Sequence, residues 1–328
     1  MTYPSTTIDL NGKTIIIETG RFGAQAAGSV TVRCGDTVVI ASMATAEPRM
    51  GIDYFPLSIE YQEKLYAGGL ISSSRFIKRE GKPSEVEILT GRVIDRSLRP
   101  LFDQSSRNDV QILVSPLSYD GVEEPEILAI IAASAAASVS NYPWNGPVGA
   151  VRVGMTPEGE YIVNPTVEQK LKSPLDLVVS GPKGGISMVE SGANEVSEEK
   201  MIGALEFAEK FVDQIADAIA EFSKSHGKQK ITLEPRVIAD EVKKIVADEI
   251  GDIKEILKNE ATKEGTQVKE VTNAIFLKHP ELNINDIREV ADEMLREVAR
   301  KDILESGIRP DGRDIETIRP INIEVGLL

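Results

Sequence analysis

The sequence predicts an α+β protein in which one domain of β-sheets packed with helices precedes a small all-α domain. Short runs rich in Val, Ile and Thr recur between about residue 13 and residue 190, and such runs are typical of strands. Helical patterns lie among these runs, whereas residues 231–305 have 3.6-residue periodicity with almost no strand signal. We therefore predict an α+β domain at 1–230 and an all-helical domain at 231–305.

The strand predictions depend on β-branched residues bounded by turn-forming residues. The first group of predicted strands covers residues 13–18, 29–33, 37–42, 56–61 and 110–115. The second group covers residues 146–154, 161–163, 175–180 and 186–190.

Two long helices are predicted within the α+β domain. Residues 126–140 are mostly small and apolar around the whole helical circumference, so we expect this helix to be buried. The second helix begins after Ser197 and ends at Gly227, and it has one apolar stripe. That stripe consists of Met201, Leu205, Ala208, Val212, Ile215, Ile219 and Phe222.

Residues 306–328 leave the helical pattern that precedes them. Pro310-Asp311-Gly312 predicts a turn, and residues 321–325 have the composition of a strand. No partner for this strand is predicted elsewhere in the segment, so we interpret 306–328 as the truncated start of a further domain.

Composition and charge exclude several functional classes. The 328 residues are 41% hydrophobic, and no apolar run approaches the roughly 20 residues that span a bilayer, so no membrane partner is expected. The first ten residues lack the features of a secretory signal. The single cysteine, Cys34, fits a reducing compartment and is interpreted as a small core residue in a strand. These observations favour a cytoplasmic location.

The two histidines do not suggest a catalytic or metal centre. His226 precedes Gly227 and His279 precedes Pro280, so both are expected at helix ends. A Ser-His-Asp, Cys-His or zinc site is therefore not predicted.

A basic segment stands out against the acidic chain, whose formal net charge is −15. Between Arg75 and Arg99 there are seven basic and four acidic residues, which gives this segment +3 and leaves −18 for the rest. The basic residues are Arg75, Lys78, Arg79, Lys82, Arg92, Arg96 and Arg99. Arginine side chains beside an aromatic residue, Phe76, suit phosphate groups and stacked bases. The alternative is an ordinary solvated face whose arginines pair with neighbouring carboxylates.

The second half of this segment predicts a helix. Ser84 and Glu87 form a capping-box pattern, and Pro100 ends the helical pattern. Apolar residues at helical spacing predict a core-facing side. They are Val86, Leu89 and Val93. The arginines at 92, 96 and 99 are spaced to lie along one stripe of the helix.

Several blocks of sequence resemble one family. They are RFIKREGKPSE, GRVIDRSLRPLF, NGPVGAVRVG, LDLVVSGPKGGISMVESGANEVSEE and IRPDGRDIETIRPINIEVG, in this order, and the resemblance extends from about residue 8 to the end. The chain resembles the amino-terminal part of bacterial polynucleotide phosphorylases, also called polyribonucleotide nucleotidyltransferases. The resemblance implies a first RNase PH-like domain at 1–230, the helical domain at 231–305, and the truncated start of a second RNase PH-like domain at 306–328.

The resemblance also implies an activity and partners. Members of this family degrade RNA from 3′ to 5′ by phosphorolysis, in which inorganic phosphate releases nucleoside diphosphates, and they act in mRNA degradation. The expected partners are single-stranded RNA, phosphate, nucleoside diphosphates, two further copies in a homotrimer, and components of RNA-degradation complexes. Mg²⁺ is implied for the full-length enzyme. The alternative is a stand-alone, non-catalytic RNA-binding or assembly module.

The resemblance implies RNA contacts but no catalytic or metal-binding residue in this chain. The implied RNA-contacting positions are Arg75, Phe76, Lys78, Arg79 and Lys82 in a loop, and Arg92, Arg96 and Arg99 on the helix. The helix arginines have an alternative role in holding a domain interface. Asn164 and Lys170 align with the family's two catalytic aspartates, and neither can act as a carboxylate. Asp176 is expected to have a structural role at the end of a strand.

Overall fold

A computed structural model describes residues 2–49, 52, 54–71, 81–233, 237–262 and 267–327, with the side chains of 261 and 262 excepted. The chain divides into two units, Met1–Pro235 and Arg236–Leu328. The first unit contains both β-sheets, and the second contains helices and an extended terminal segment. The predicted fold class, α+β followed by a helical part, is confirmed.

The larger sheet of the first unit has six strands in the order β1-β2-β3-β4-β6-β5. Their bounds are β1 (Ser5–Leu10), β2 (Lys13–Thr19), β3 (Gly28–Cys34), β4 (Thr37–Ala46), β5 (Leu57–Tyr61) and β6 (Asp109–Ser118). All neighbouring strands are antiparallel except β5 and β6, which are parallel. A parallel pair needs a crossover connection, and the segment between these two strands contains the predicted basic helix.

The smaller sheet has four antiparallel strands in the order β10-β9-β7-β8. Their bounds are β7 (Gly149–Met155), β8 (Tyr161–Val163), β9 (Leu175–Gly181) and β10 (Met188–Ala193). Every residue of β7 is buried, including one arginine, Arg152. A charged residue in a fully buried strand needs partners, and these partners form the candidate site described below.

Four helices pack on the two sheets. They are α1 (Glu85–Leu98), α2 (Pro125–Val139), α3 (Val167–Lys172) and α4 (Glu198–His226). As predicted, α2 is buried almost throughout, because it packs against strands of both sheets and against α4. Glycines permit the closest approaches. A Cβ atom at Gly28 would lie 2.1 Å from the Ala136 carbonyl oxygen of α2.

The second unit contains α5 (Asp240–Glu249), α6 (Ile253–Thr262), α7 (Gln267–Lys278) and α8 (Ile284–Ser306). Apolar residues of these helices form their own core, centred on Val246, Ile275, Ile287 and Ala291. Asn283 accepts a hydrogen bond from the Asn285 N–H at the start of α8, and Gly307 ends the helix in the left-handed conformation.

Some sequence predictions of secondary structure were wrong or incomplete. The structure has no strand at residues 321–325, where the described backbone is exposed and has no pairing partner. A strand is stable only within a sheet, so strand-forming composition alone was insufficient. Conversely, β1 and α3 were not predicted. The start of α3 had a local signal, because Thr166 and Gln169 form a capping box.

Candidate functional site

The predicted loop contacts fall largely outside the described residues. Arg75, Phe76, Lys78 and Arg79 lie in the undescribed range 72–80. Lys82 is described and exposed, and it lies two residues before the cap of α1.

The capping box that was predicted at the start of α1 is present. The Glu87 N–H donates to Ser84 Oγ over 3.2 Å, and the Ser84 N–H donates to Glu87 Oε2 over 2.6 Å. The other oxygen of Glu87 accepts from the Glu63 N–H over 2.7 Å, which fixes the helix next to the end of β5. Burial opposes ionisation of Glu87, but these hydrogen bonds prevail and lower the pKa of its carboxyl.

The core-facing side of α1 was predicted incorrectly. Val86 and Leu89 are more than half exposed, and Val93 is partly buried. The fully buried large side chains of α1 are Ile94 and Leu98. Gly91 lies against β5, where a Cβ atom would be 3.6 Å from the Ile59 carbonyl oxygen, an ordinary van der Waals distance.

The three helix arginines lie in different environments. Arg99 donates to both oxygens of Asp95, at 2.8 and 2.6 Å, and to the Leu57 carbonyl oxygen at 3.0 Å. Arg96 forms an exposed ion pair of 3.1 Å with Glu190 of β10. Arg99 therefore helps hold α1 against β5, and Arg96 joins α1 to the smaller sheet.

Arg92 is exposed and lines a groove between α1 and β5. The groove has a volume of about 440 Å³, and its walls include Ile59, Glu60 and Asp95. Within the described part of the chain, Arg92 forms no ion pair. Of the three helix arginines it is thus the one whose guanidinium group is available to a ligand.

A second cluster of charges, which the sequence did not predict, surrounds Arg152 of β7. The side chain of Arg152 is only 7% exposed, and it contacts three carboxylates. It forms ion pairs with Glu124, with Glu126 at 2.5 Å, and with Asp176 at 3.3 Å. Lys170 forms an ion pair with Glu124. We call these five residues the Arg152 cluster.

Burial governs the electrostatics of the Arg152 cluster. It lowers the pKa of the Arg152 guanidinium, and it lowers the pKa of the Lys170 ammonium with a further contribution from Arg152. Burial also raises the pKa of the Glu126 carboxyl, an effect that Lys170 opposes and Asp176 reinforces. Each charge thus depends on its partners for stability.

The Arg152 cluster borders a cleft of about 260 Å³ between α1, α2 and the smaller sheet. Among the described residues, no group of three or more His, Cys, Asp or Glu side chains could hold a metal ion. The carboxylates of the cluster do not fit Mg²⁺, because two cationic side chains already occupy the space between them.

Asn164 and Lys170, which the resemblance places at the positions of two aspartates, both contact neighbouring residues of the fold. Asn164 has a left-handed backbone with φ of 45°, and its Oδ1 accepts from the Arg152 N–H over 2.9 Å. Lys170 belongs to the Arg152 cluster. Asp176, near the start of β9, contacts Arg152, which agrees with the structural role expected for it.

The remaining candidate residues lie where the sequence predicted. His226 ends α4 and packs on Phe222, and His279 follows α7 and contacts Glu249 over 2.8 Å. Cys34 is a buried residue at the end of β3. No described helix has the length and apolar composition needed to cross a membrane.

Comparison with known families agrees with this architecture. Residues 11–143 match domain 1 of the 3′ exoribonuclease family, and residues 146–210 match its domain 2. Among solved structures, rice Rrp46 aligns with 68% of this chain and 96% of its own, with a TM-score of 0.52 and 16% identity. An exosome chain from Archaeoglobus fulgidus, whose structure contains RNA at the active site, aligns with a TM-score of 0.50 and 16% identity. At these identities the structural matches support the fold alone.

Curated relatives are more similar in sequence. A polyribonucleotide nucleotidyltransferase of Heliobacterium modesticaldum is 43% identical over 98% of this chain and 46% of its own length. The enzyme of the same name from Thermomicrobium roseum is 42% identical over 98% of this chain and 42% of its own length. The chain thus spans about half the length of these relatives. With both exoribonuclease domains matched in order within the first unit, this chain belongs to the 3′ exoribonuclease family and corresponds to about half of a polyribonucleotide nucleotidyltransferase.

Proposed function

We propose that this chain is the RNA-binding, non-catalytic half of a 3′-to-5′ phosphorolytic exoribonuclease that acts in mRNA degradation. The observation that carries the proposal is the match of 98% of the chain to about half of a polyribonucleotide nucleotidyltransferase. In the whole enzyme, phosphate attacks the RNA phosphodiester and releases a nucleoside diphosphate. The half described here contributes RNA contacts, and the other half supplies the chemistry.

The Arg152 cluster supports the non-catalytic role. A phosphorolytic site needs carboxylates that can hold a divalent cation or accept a proton, and a cation that can hold phosphate. In this cleft the carboxylates of Glu124, Glu126 and Asp176 face Arg152 and Lys170 instead. Opening the cluster to a substrate would separate buried charges, which is energetically costly.

The basic segment supports the RNA-binding role. Its loop residues, Arg75, Phe76, Lys78, Arg79 and Lys82, combine cations with an aromatic ring in a chain of net charge −15. Arg92 adds a cation on α1, because it is exposed and borders an open groove. Arg96 and Arg99 contribute to RNA binding mainly by holding α1 in place.

The same proposal covers the cofactor and partners of the whole enzyme. The whole enzyme uses Mg²⁺, which is held by residues outside this half. Phosphate is its co-substrate, and nucleoside diphosphates are its products. It assembles as a homotrimer in the cytoplasm and joins other components of RNA-degradation complexes. These features are implied by the resemblance to the polynucleotide phosphorylase family and are proposed for the whole enzyme.

The non-catalytic role predicts that the chain alone releases no nucleoside diphosphate. The purified chain is incubated with oligoadenylate, phosphate and Mg²⁺, and the products are separated by ion-exchange chromatography. A full-length relative, such as the Heliobacterium modesticaldum enzyme, serves as the positive control. Release at a rate similar to that of the control would refute the non-catalytic role.

The RNA-binding role predicts that replacing Arg75, Lys78 and Arg79 together with Ala weakens binding of single-stranded RNA by about ten-fold or more. Because log affinity falls as log salt concentration rises, the loss of three phosphate contacts should make this negative slope less steep by about 2. Fluorescence anisotropy with a labelled oligonucleotide at several salt concentrations measures both quantities. The control is a second triple variant in which three exposed basic residues of α8 are replaced with Ala. These residues are Arg296, Arg300 and Lys301. Equal affinity and salt slope in the two triple variants would exclude the loop as the contact.

A further inference from the structure

A loop on the larger sheet exposes an arginine beside aromatic rings, away from the basic segment. Residues 20–27 connect β2 to β3, and residues 20–25 of this loop are exposed. The Arg21 guanidinium lies 5.3 Å from the ring centre of Phe22 and 5.9 Å from that of Tyr3. We call Tyr3, Arg21 and Phe22 the Arg21 cluster. The ring of Phe22 remains 45% exposed, so this contact does not bury it.

The backbone of the loop contacts two neighbouring strands, β3 and β4. Gly20 and Gly23 have φ angles of 84° and 66°, so left-handed glycines flank the Arg-Phe pair. A Cβ atom at Gly23 would lie 2.7 Å from Ser29 Oγ, which shows how closely the loop approaches β3. The Ala27 N–H donates to the Met43 carbonyl oxygen over 2.8 Å. The two side chains therefore lie on a loop that packs on β3 and is hydrogen-bonded to β4.

The charge around the Arg21 cluster is positive, unlike that of the whole chain. Residues 19–28 contain no acidic side chain, and the nearest carboxylate partner of Arg21 is Glu18 at 3.5 Å. Lys228, after α4, donates from Nζ to the Ala26 carbonyl oxygen over 2.8 Å and thus lies against the same loop. The loop that carries Phe22 therefore contacts two cations, Arg21 and Lys228, and Arg21 has one carboxylate partner.

This combination fits a ligand that has both a planar π-system and a negative charge. A free ring face accepts a stacked base, an arginine plane adds a second stacking surface, and a lysine favours a phosphate. A protein partner would be expected to need a larger apolar surface than one exposed phenylalanine. We propose that the Arg21 cluster binds an unpaired base of single-stranded RNA, with Lys228 next to the adjoining phosphate. The choice of RNA as ligand rests on the proposed function, whereas the stacking geometry does not.

The Phe22→Ala variant tests the stacking contact. Loss of one stacked base is expected to weaken binding of a single-stranded oligouridylate by about five-fold or more. Binding of a duplex of matched length should not change, because its bases are already stacked. Since Phe22 is exposed, the variant should retain the thermal unfolding midpoint of the parent.

Arg33 provides a matched control for Arg21. The two arginines are similarly exposed, at 54% and 51%, and each pairs with a carboxylate three residues away. Arg33 contacts Gly35 and Asp36 instead of aromatic rings. Arg21→Ala should therefore weaken single-strand binding several-fold more than Arg33→Ala.

Photocrosslinking separates failure of this inference from failure of the proposed function. The 328-residue chain is irradiated with an oligonucleotide containing 4-thiouridine, and the crosslinked peptides are identified by mass spectrometry. Crosslinks at Phe22 or Tyr3 support the Arg21 cluster, even if the Arg75 loop gives none. Crosslinks restricted to the Arg75 loop, with unchanged affinity of Phe22→Ala, overturn this inference and leave the proposed function intact. Absence of any binding at low salt overturns both.

Discussion

Replacing Arg152 with Met is expected to destabilise the first unit by about 3–5 kcal/mol. The substitution keeps a long side chain but leaves Glu124, Glu126 and Asp176 close together, with Lys170 as the remaining cation of the cluster. For a unit of this size, the loss corresponds to a decrease of about 10 °C in the unfolding midpoint. Differential scanning calorimetry or thermal circular dichroism measures the change.

Two further variants identify the cause of the expected loss. Arg33→Met removes an exposed ion pair with Asp36, and such pairs contribute about 0–1 kcal/mol. Combining Arg152→Met with Glu124→Gln and Glu126→Gln removes both sides of the buried pairs and should restore much of the stability. If Arg152→Met is no less stable than Arg33→Met, the cluster is not a set of mutually dependent charges.

The pH dependence of Arg152→Met gives an independent check. Burial already raises the pKa of Glu126 in the folded chain, and removal of Arg152 raises it further. A carboxyl whose pKa is higher in the folded chain than in the unfolded chain binds protons more tightly when folded. Its contribution to the free energy of unfolding is therefore present at low pH and is lost as pH rises through the folded pKa. The variant should therefore approach the parent's stability as pH falls towards the ordinary glutamate range. A difference that is constant over this range would contradict the electrostatic explanation.

The parts of the fold that the sequence predicted well depend on local signals. Ser84 and Glu87 lie within one turn of each other, so their pattern was sufficient to place the start of α1. The long helix α4 likewise begins after Ser197 and is followed by Gly227, as predicted. Strands β2 to β10 were identified within a few residues, because β-branched runs separated by turns define them.

The Arg152 cluster could not be predicted because its members are far apart in sequence. Glu124 and Arg152 are separated by 28 residues, and only the packing of α2 on β7 brings them together. One signal was available, since an arginine within the apolar run of β7 requires a buried counter-charge. The core-facing side of α1 was predicted wrongly for a related reason. Apolar spacing indicated the side with Val86 and Leu89, whereas the fold buries Ile94 and Leu98.

Labelling of Cys34 is expected to be about two orders of magnitude slower in the folded chain than in a peptide. Burial raises the pKa of the Cys34 thiol to about 11, with further contributions from Glu123 and Asp120. At pH 8, a thiol with that pKa has roughly one-thousandth of its molecules as thiolate, against about a quarter for an ordinary cysteine. Because Cys34 is the chain's single cysteine, absorbance after addition of Ellman's reagent follows this one site.

The same reaction reports on unfolding of the first unit. Cys34 is only 6% exposed, so labelling requires opening of the sheet, and its rate should rise sharply in denaturant. Cys34 and Arg152 border the same small cavity, so Arg152→Met should accelerate labelling, whereas Arg33→Met should not. Because the pKa of the Cys34 thiol is higher in the folded chain than in the unfolded chain, the free energy of unfolding should decrease as pH rises from the unfolded thiol pKa towards about 11. Labelling of the native chain as fast as that of a peptide would show that Cys34 is accessible and would contradict its assignment to the core.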